Sequence, residues 1–234
     1  MNHIVLGYDG SDFSVQALDW ALDEAELRKL PLTVSHAWQW PYGEAHVEAK
    51  AHLRKAAEHV LWHGADCARS SSSGLHVETD LYEGPAAQRL VELSSHAALV
   101  VVGSRGLSAL PRVVVGSVAG YVAAHADCPV IVVRGPGPLP AATHLGPVVV
   151  AGTEPDASVL EFAFGEAALR QVPVSAPVDV TKWADRHPEV RVQTEAARDQ
   201  ATLVVVGRKR AEWFGTAEFL AQHSPCPVAV VPGG

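Results

Sequence analysis

The sequence predicts an α/β protein of two tandem modules, each built on a parallel five-stranded sheet, with the second module reduced. Three observations predict it. Short runs of Val, Ile and Leu recur without polar alternation at 3–8, 98–103 and 128–133. Such strands are buried on both faces, as in a parallel sheet covered by helices. Segments of helical periodicity lie between them, at 12–29 and 44–68. Finally, the order of motifs repeats. Ala98-Leu99-Val100-Val101-Val102-Gly103 returns as Thr202-Leu203-Val204-Val205-Val206-Gly207, and Cys128-Pro129-Val130-Ile131-Val132-Val133 returns as Cys226-Pro227-Val228-Ala229-Val230-Val231. Glu24-Ala25-Glu26-Leu27-Arg28 returns as Glu166-Ala167-Ala168-Leu169-Arg170. One order in both halves marks a tandem duplication. Gly135-Pro136-Gly137-Pro138-Leu139-Pro140 has linker composition, so the modules are read as 1–134 and 147–234 with 135–146 between them.

Each element of the first module has a local reason. Residues 3–8 are a buried strand. The helix over 12–29 follows Ser11 or Asp12 as N-cap. Strand two, 32–38, is entered through Pro31, and the long helix 44–68 leads to strand three at 75–82. Gly84-Pro85 opens a third helix, since proline is tolerated in a first turn. Strand four is 98–103, a fourth helix covers 117–126, and strand five is 128–133. In the second module the first strand is 147–151 and the first helix 156–170. Its second helix shrinks to Thr181–His187 and its third to Glu195–Gln200, with strands at 189–194, 202–207 and 226–231. A half stripped of two helices is expected to lean on the first half or on another chain.

Composition excludes several classes. With 48% hydrophobic and 19% charged residues, the chain is no disordered protein. A net charge of −8, without a basic stripe interleaved with aromatics, argues against a nucleic-acid binder. No apolar run reaches the roughly 18–20 residues of a membrane span. Met1-Asn2-His3 enters the first strand directly, with no signal-peptide pattern, and three cysteines without a CxxC pair suit a reducing compartment. The expected location is cytoplasmic.

The chemistry gathers after strand four. Gly103-Ser104-Arg105-Gly106 is followed, nine residues on, by Gly116-Ser117-Val118 at the start of a helix. Glycines at 103, 106 and 116 would let backbone approach a ligand without a Cβ in the way. The helix starting at Ser117 directs free N–H groups and a positive dipole end to the same place. Ser117 offers a hydroxyl, and Arg105 and Arg112 offer positive charge. In open parallel sheets ligands bind beyond the carboxyl ends of the strands, where the strand order reverses. If strands one and four are neighbours, Asp9 of Tyr8-Asp9-Gly10-Ser11 faces the glycine loop. Asp9 would then hold ribose hydroxyls or a phosphate-bound metal, or else simply cap the helix that follows. Ala37-Trp38, at the end of strand two, would offer backbone to a base edge.

Val5-Leu6-Gly7-Tyr8-Asp9-Gly10-Ser11, the spacing G-x2-G-x9-G-S and the Cys-Pro-Val-Ile-Val-Val strand together resemble the universal stress protein family in its tandem two-domain form. The resemblance implies Rossmann-like modules with strand order 3-2-1-4-5, and pairing of 128–133 with 226–231 inside one chain. It implies ATP, with or without Mg, held through Asp9, Ala37, Gly103, Gly106, Gly116, Ser117 and Val118. It also implies a stress-response regulator rather than an efficient enzyme. A homodimer of whole chains stays open.

The second half departs from that pattern. Arg210 stands where Gly106 has its counterpart, and only four residues separate it from Gly215-Thr216. Ala151-Gly152-Thr153-Glu154 replaces the Asp9 stretch. One nucleotide per chain is expected, with Trp213 and Phe214 filling the vacated pocket. The rivals are a slow ATP hydrolase, a nucleotide-free scaffold and a flavin binder. The chain lacks a GxxxxGK[ST] loop, which weighs against efficient phosphoryl chemistry.

Other candidates read more plainly. Of the 12 histidines, His52, His59 and His63 share a stripe of the second helix, with no acidic or cysteine partner read at ligand spacing. A polar flank is expected there, and His36 is read as a satisfied core histidine. Cys128 and Cys226 are read as small hydrophobes. Trp38 and Trp40 either wall the base pocket or pack between modules.

Overall fold

The computed structural model describes residues 2–40, 43, 47–105, 116–134, 146–152, 154–193, 200–208, 224 and 226–233. In chain order the first half comprises β1 (Ile4–Gly7), α1 (Asp12–Arg28), β2 (Leu32–Trp38), α2 (Val47–Ser71), β3 (Val77–Glu83), α3 (Ala86–Ser94), β4 (Leu99–Gly103), α4 (Ser117–His125) and β5 (Val130–Val133). The second comprises β6 (Val148–Ala151), α5 (Ala157–Arg170), β7 (Val174–Ser175), α6 (Thr181–Arg186), β8 (Val192–Gln193), β9 (Leu203–Arg208) and β10 (Val228–Pro232).

The strands form one ten-stranded sheet in the order β3-β2-β1-β4-β5-β10-β9-β6-β7-β8. The first half shows the order 3-2-1-4-5, and the second half repeats it in mirror sequence outward from the centre. Each half is parallel, and the two meet at β5 and β10. These run antiparallel, with Val130, Ile131 and Val132 opposite Val230, Ala229 and Val228.

Side-chain alternation divides the core into two layers. Ile4, Leu6, Leu99, Val101, Ile131 and Val133 face α1 and α2. Val5, Val100, Val102, Val130 and Val132 face α3 and α4. The first layer continues into the second half through Val148, Val150, Leu203 and Val205 beneath α5. These strand residues are about 0–5% exposed, which is why their sequences show no polar alternation.

Both halves end their first helix in the same way. Lys29 and Gln171 adopt left-handed backbone at φ 55° and 57°. The next amide in each half, Leu30 or Val172, reaches back to the carbonyl of Ala25 or Ala167 at 2.9 and 3.0 Å.

Three details differ from the sequence expectation. Strand β7 is absent from it, because a two-residue strand between Pro173 and Ala176 carries no periodic signal. Among the described residues, strand β8 covers only Val192–Gln193 of the expected 189–194. Helix α2 runs three residues past 68, to Ser71. The reduced helix expected near 195–200 falls largely outside the described residues. No helix among the described residues is long and apolar enough to cross a membrane.

Candidate functional site

The candidate crevice lies at the carboxyl end of the sheet between β1 and β4. These are adjacent and parallel, with Gly7 opposite Val102. From β1 the order proceeds to β2 on one side and to β4 on the other, so this is the switch point of the first half.

On the β1 side, Asp9 organises the entry to α1. Its Oδ1 accepts from the Ser11 amide at 3.0 Å and from the Ser11 hydroxyl at 2.6 Å. Ser11 is the N-cap, and its Oγ accepts from Ser14 N at 3.3 Å. Gly10 between them has φ +80°, which favours glycine. Asp9 thus acts on the helix start through Ser11, and one of its oxygens is committed to that turn.

On the β4 side, the backbone ties three elements together. Ser104 N donates to Val133 O at 2.9 Å, and Gly116 N donates to Ser104 O at 2.7 Å. The end of β4 and the start of α4 therefore meet, although 106–115 between them lie outside the described residues. Gly116 is the N-cap of α4, with no side-chain capping bond. Ser117 and Val118 are exposed on the first turn.

Gly103 has a role the sequence reading did not assign. A Cβ there would lie 2.6 Å from the Phe13 carbonyl oxygen and 2.7 Å from its carbonyl carbon. The missing side chain makes room for the first turn of α1. Spacing in sequence cannot separate this reason from ligand approach, because both need a bare backbone at the strand end.

Arg105 follows at the crevice. Its guanidinium lies 5.2 Å from the Phe13 ring centroid, and its buried Nε has no hydrogen-bond partner among the described residues. Arg134, after β5, has its pKa held below the usual arginine range, first by burial and then by the charge of Arg105. Arg105 and Arg134 thus repel each other at this end of the sheet.

Ala37 lies on β2, opposite Tyr82 of β3. The β1–β2 register ends at Gly7 and Ser35, so β2 runs on past β1 at Ala37 and Trp38. Trp38 is buried, with Lys50 Nζ of α2 at 5.9 Å from its ring centroid, which places it in the first module's own structure. His36 Nδ1 lies 2.8 Å from the Tyr8 carbonyl oxygen, a satisfied histidine as read. Gly106, Arg112, Arg210, Trp213 and Phe214 lie outside the described residues.

The histidine stripe needs one correction. Cys67 is one turn beyond His63, and its Sγ lies 3.9 Å from His63 Nε2. The other ring nitrogen of His63 bonds to the Tyr8 hydroxyl at 2.9 Å. Among the described residues no group of three or more His, Cys, Asp or Glu could hold a metal ion.

In the second half, Arg208 follows Gly207 as Ser104 follows Gly103. Its Nη1 donates to the Ala126 carbonyl at 2.7 Å. A cation from one module thus caps the carboxyl end of α4 in the other.

The fold defines a class: a duplicated, doubly wound α/β protein whose two halves join in one sheet, the second half reduced. The family model described as Universal stress protein family matches residues 1–134. A universal stress protein of Mycobacterium tuberculosis is 32% identical over 259 residues, spanning 100% of this chain and 86% of the relative. One from Mycolicibacterium smegmatis is 29% identical over 287 residues, spanning 97% and 96%. The crystal structure of a universal stress protein from Archaeoglobus fulgidus superposes with a TM-score of 0.73 at 19% identity, covering 100% of this chain and 97% of that one. The chain belongs to the universal stress protein family.

Proposed function

We propose that the first module binds one adenine nucleotide, ATP, and that the protein is a regulatory nucleotide binder in the cytoplasm rather than an efficient enzyme. The observation that supports this reading is the junction of β4 and α4 next to β1 at the switch point, where Gly116 N meets Ser104 O and the buried Arg105 Nε has no hydrogen-bond partner among the described residues. Gly116 N is spent on Ser104 O, so the phosphates fall to the following amides of the α4 first turn. Each amide bond to a charged oxygen contributes about 1.5–3 kcal/mol. An anion there also relieves the Arg105–Arg134 repulsion. Ala37, beyond the end of β1, faces the base edge, and Gly103 shapes the crevice by seating α1.

Ser117→Glu tests the reading. A carboxylate in the first turn stabilises the helix by about 0.3–1 kcal/mol, so the variant stays folded. The same charge repels phosphate, and ATP affinity measured by calorimetry is expected to fall at least about tenfold, or 1.4 kcal/mol. Wild-type protein is expected to take up one ATP per chain. No uptake by wild type would leave the scaffold reading, two equivalent sites would refute the single-site reading, and turnover above about one per second would favour an enzyme.

A further inference from the structure

The repeat Glu24…Arg28 and Glu166…Arg170 is not explained by the nucleotide crevice. In the structure it forms one cluster where α1 and α5 touch. Glu24 and Glu166 are both 0% exposed, while Arg28 is 22% and Arg170 6% exposed by side chain. Arg28 Nε pairs with Glu24 Oε2 at 2.9 Å on its own helix and reaches across to Glu166 Oε1. Arg170 reaches across to Glu24 Oε1, and its Nε lies 3.5 Å from Glu166 Oε2 on its own helix. Each arginine also lies over the aromatic ring of the opposite helix. The Arg170 guanidinium is 4.8 Å from the Trp20 ring centroid, and that of Arg28 is 5.9 Å from that of Phe162. Four charges and two rings thus obey one local two-fold.

The two-fold is broken at one atom. Four residues before Glu24 stands Trp20, whose indole Nε1–H donates to Glu24 Oε1 at 3.0 Å. Four residues before Glu166 stands Phe162, which has no donor. Glu24 therefore accepts from Trp20, Arg28 and Arg170, whereas Glu166 Oε2 is buried with no hydrogen-bond partner among the described residues. The nearest N–H, Arg170 Nε, lies 3.5 Å away and is itself without a hydrogen-bond partner among the described residues, so the charge on Glu166 Oε2 is less well compensated than that on Glu24, which is costly in a buried carboxylate.

We infer that Glu166 is a proton-binding site built into the interface between the two modules, so that the α1–α5 cluster exchanges a proton with solvent. The cluster then alternates between a neutral set of four charges and a set with net charge +1.

The surroundings support this assignment. The charged groups acting on Glu166 are Glu24 and Arg28 from α1 and Arg170 from α5 itself. The strands beneath α5 present apolar residues, Val148, Val150, Leu203 and Val205. On the α6 side, Arg186 pairs with Glu161 at 3.3 Å. His187 packs on the Phe164 ring and lies 3.4 Å from Glu189. Burial, then the charge of Glu24, pushes the Glu166 carboxyl up to about 7, against the pull of Arg170 and Arg28. The folded value lies above the ordinary 4.5, so the folded chain holds the extra proton in that window. Stability from this group is fully present below the ordinary value and is lost as pH rises through about 7.

The experiment uses the intact chain. Infrared difference spectra between pH 5.5 and 8.5 are expected to show a carboxylic-acid carbonyl band that disappears as pH rises. Glu166→Gln should lack that band, and Phe162→Trp, which supplies an indole N–H, should move its midpoint to lower pH. In chemical denaturation, the wild-type folding constant should fall relative to that of Glu166→Gln by on the order of 10²-fold between pH 5 and 8. Absence of the band from wild type at pH 5.5, its persistence in Glu166→Gln, or parallel stability curves for the two proteins would each overturn the assignment.

Discussion

Replacing Gly103 by alanine separates two reasons for a glycine at the end of β4. If that glycine serves packing, the substitution strikes stability first. The added Cβ would lie 2.6 Å from the Phe13 carbonyl oxygen, 2.7 Å from its carbonyl carbon and 3.0 Å from its Cβ. Two of these atoms are backbone and the third is fixed to it, so no rotamer change relieves the contact. Ordinary van der Waals contact starts near 3.4 Å, so the first turn of α1 must retreat by about 0.8 Å. Overpacking of this kind costs about 1–3 kcal/mol. For a chain of this size that corresponds to a fall in Tm of roughly 2–12 °C. Thermal denaturation followed by circular dichroism, without nucleotide, measures it. An unchanged Tm together with loss of ATP binding would refute the packing account and return Gly103 to the ligand.

Two further outcomes follow from the same structure. Arg208→Gln removes the cation that caps α4 from the other module, and stability should drop by about 1–2 kcal/mol in urea titration. Much of that loss should vanish at high salt if the dipole interaction dominates. Alkylation of native protein at pH 8 should modify Cys67 alone, with Cys128 and Cys226 reacting only after denaturation. Both of the latter are buried, and burial, then the charge of Asp127, pushes the Cys128 thiol up to about 12. Mass spectrometry of the tryptic peptides counts the labelled thiols.

The strands and helices of the first module were legible because their signals are local. Uniform apolar runs such as Leu99–Gly103 report burial on both faces, and Ser11 reports a helix start. Strand β7 was not legible, since its two residues are defined by pairing with β6 and β8, which sequence pattern does not encode. The site was half legible. Spacing brought Gly103, Gly116, Ser117 and Asp9 to notice, but not which neighbour each one serves. Arg134 carried no motif at all and matters only because β5 lies beside β4.

By itself the sequence determined the duplication, the α/β class, the end of the sheet to which Asp9, Gly103 and Ser117 belong, and the reduction of the second half. These follow from periodicity and composition, which each segment carries alone. Tertiary structure decided the rest. It made Gly103 a seat for α1, turned Arg208 into a cap for a helix of the other module, and closed the repeated Glu and Arg pairs into one buried cluster. Each of these depends on atoms far apart in sequence coming within a few ångströms, and on which of two related carboxylates finds a donor there. The exchange of one indole N–H for a phenyl ring is plain in the sequence. Only the α1–α5 packing, which removes water from both carboxylates, gives that exchange an electrostatic consequence.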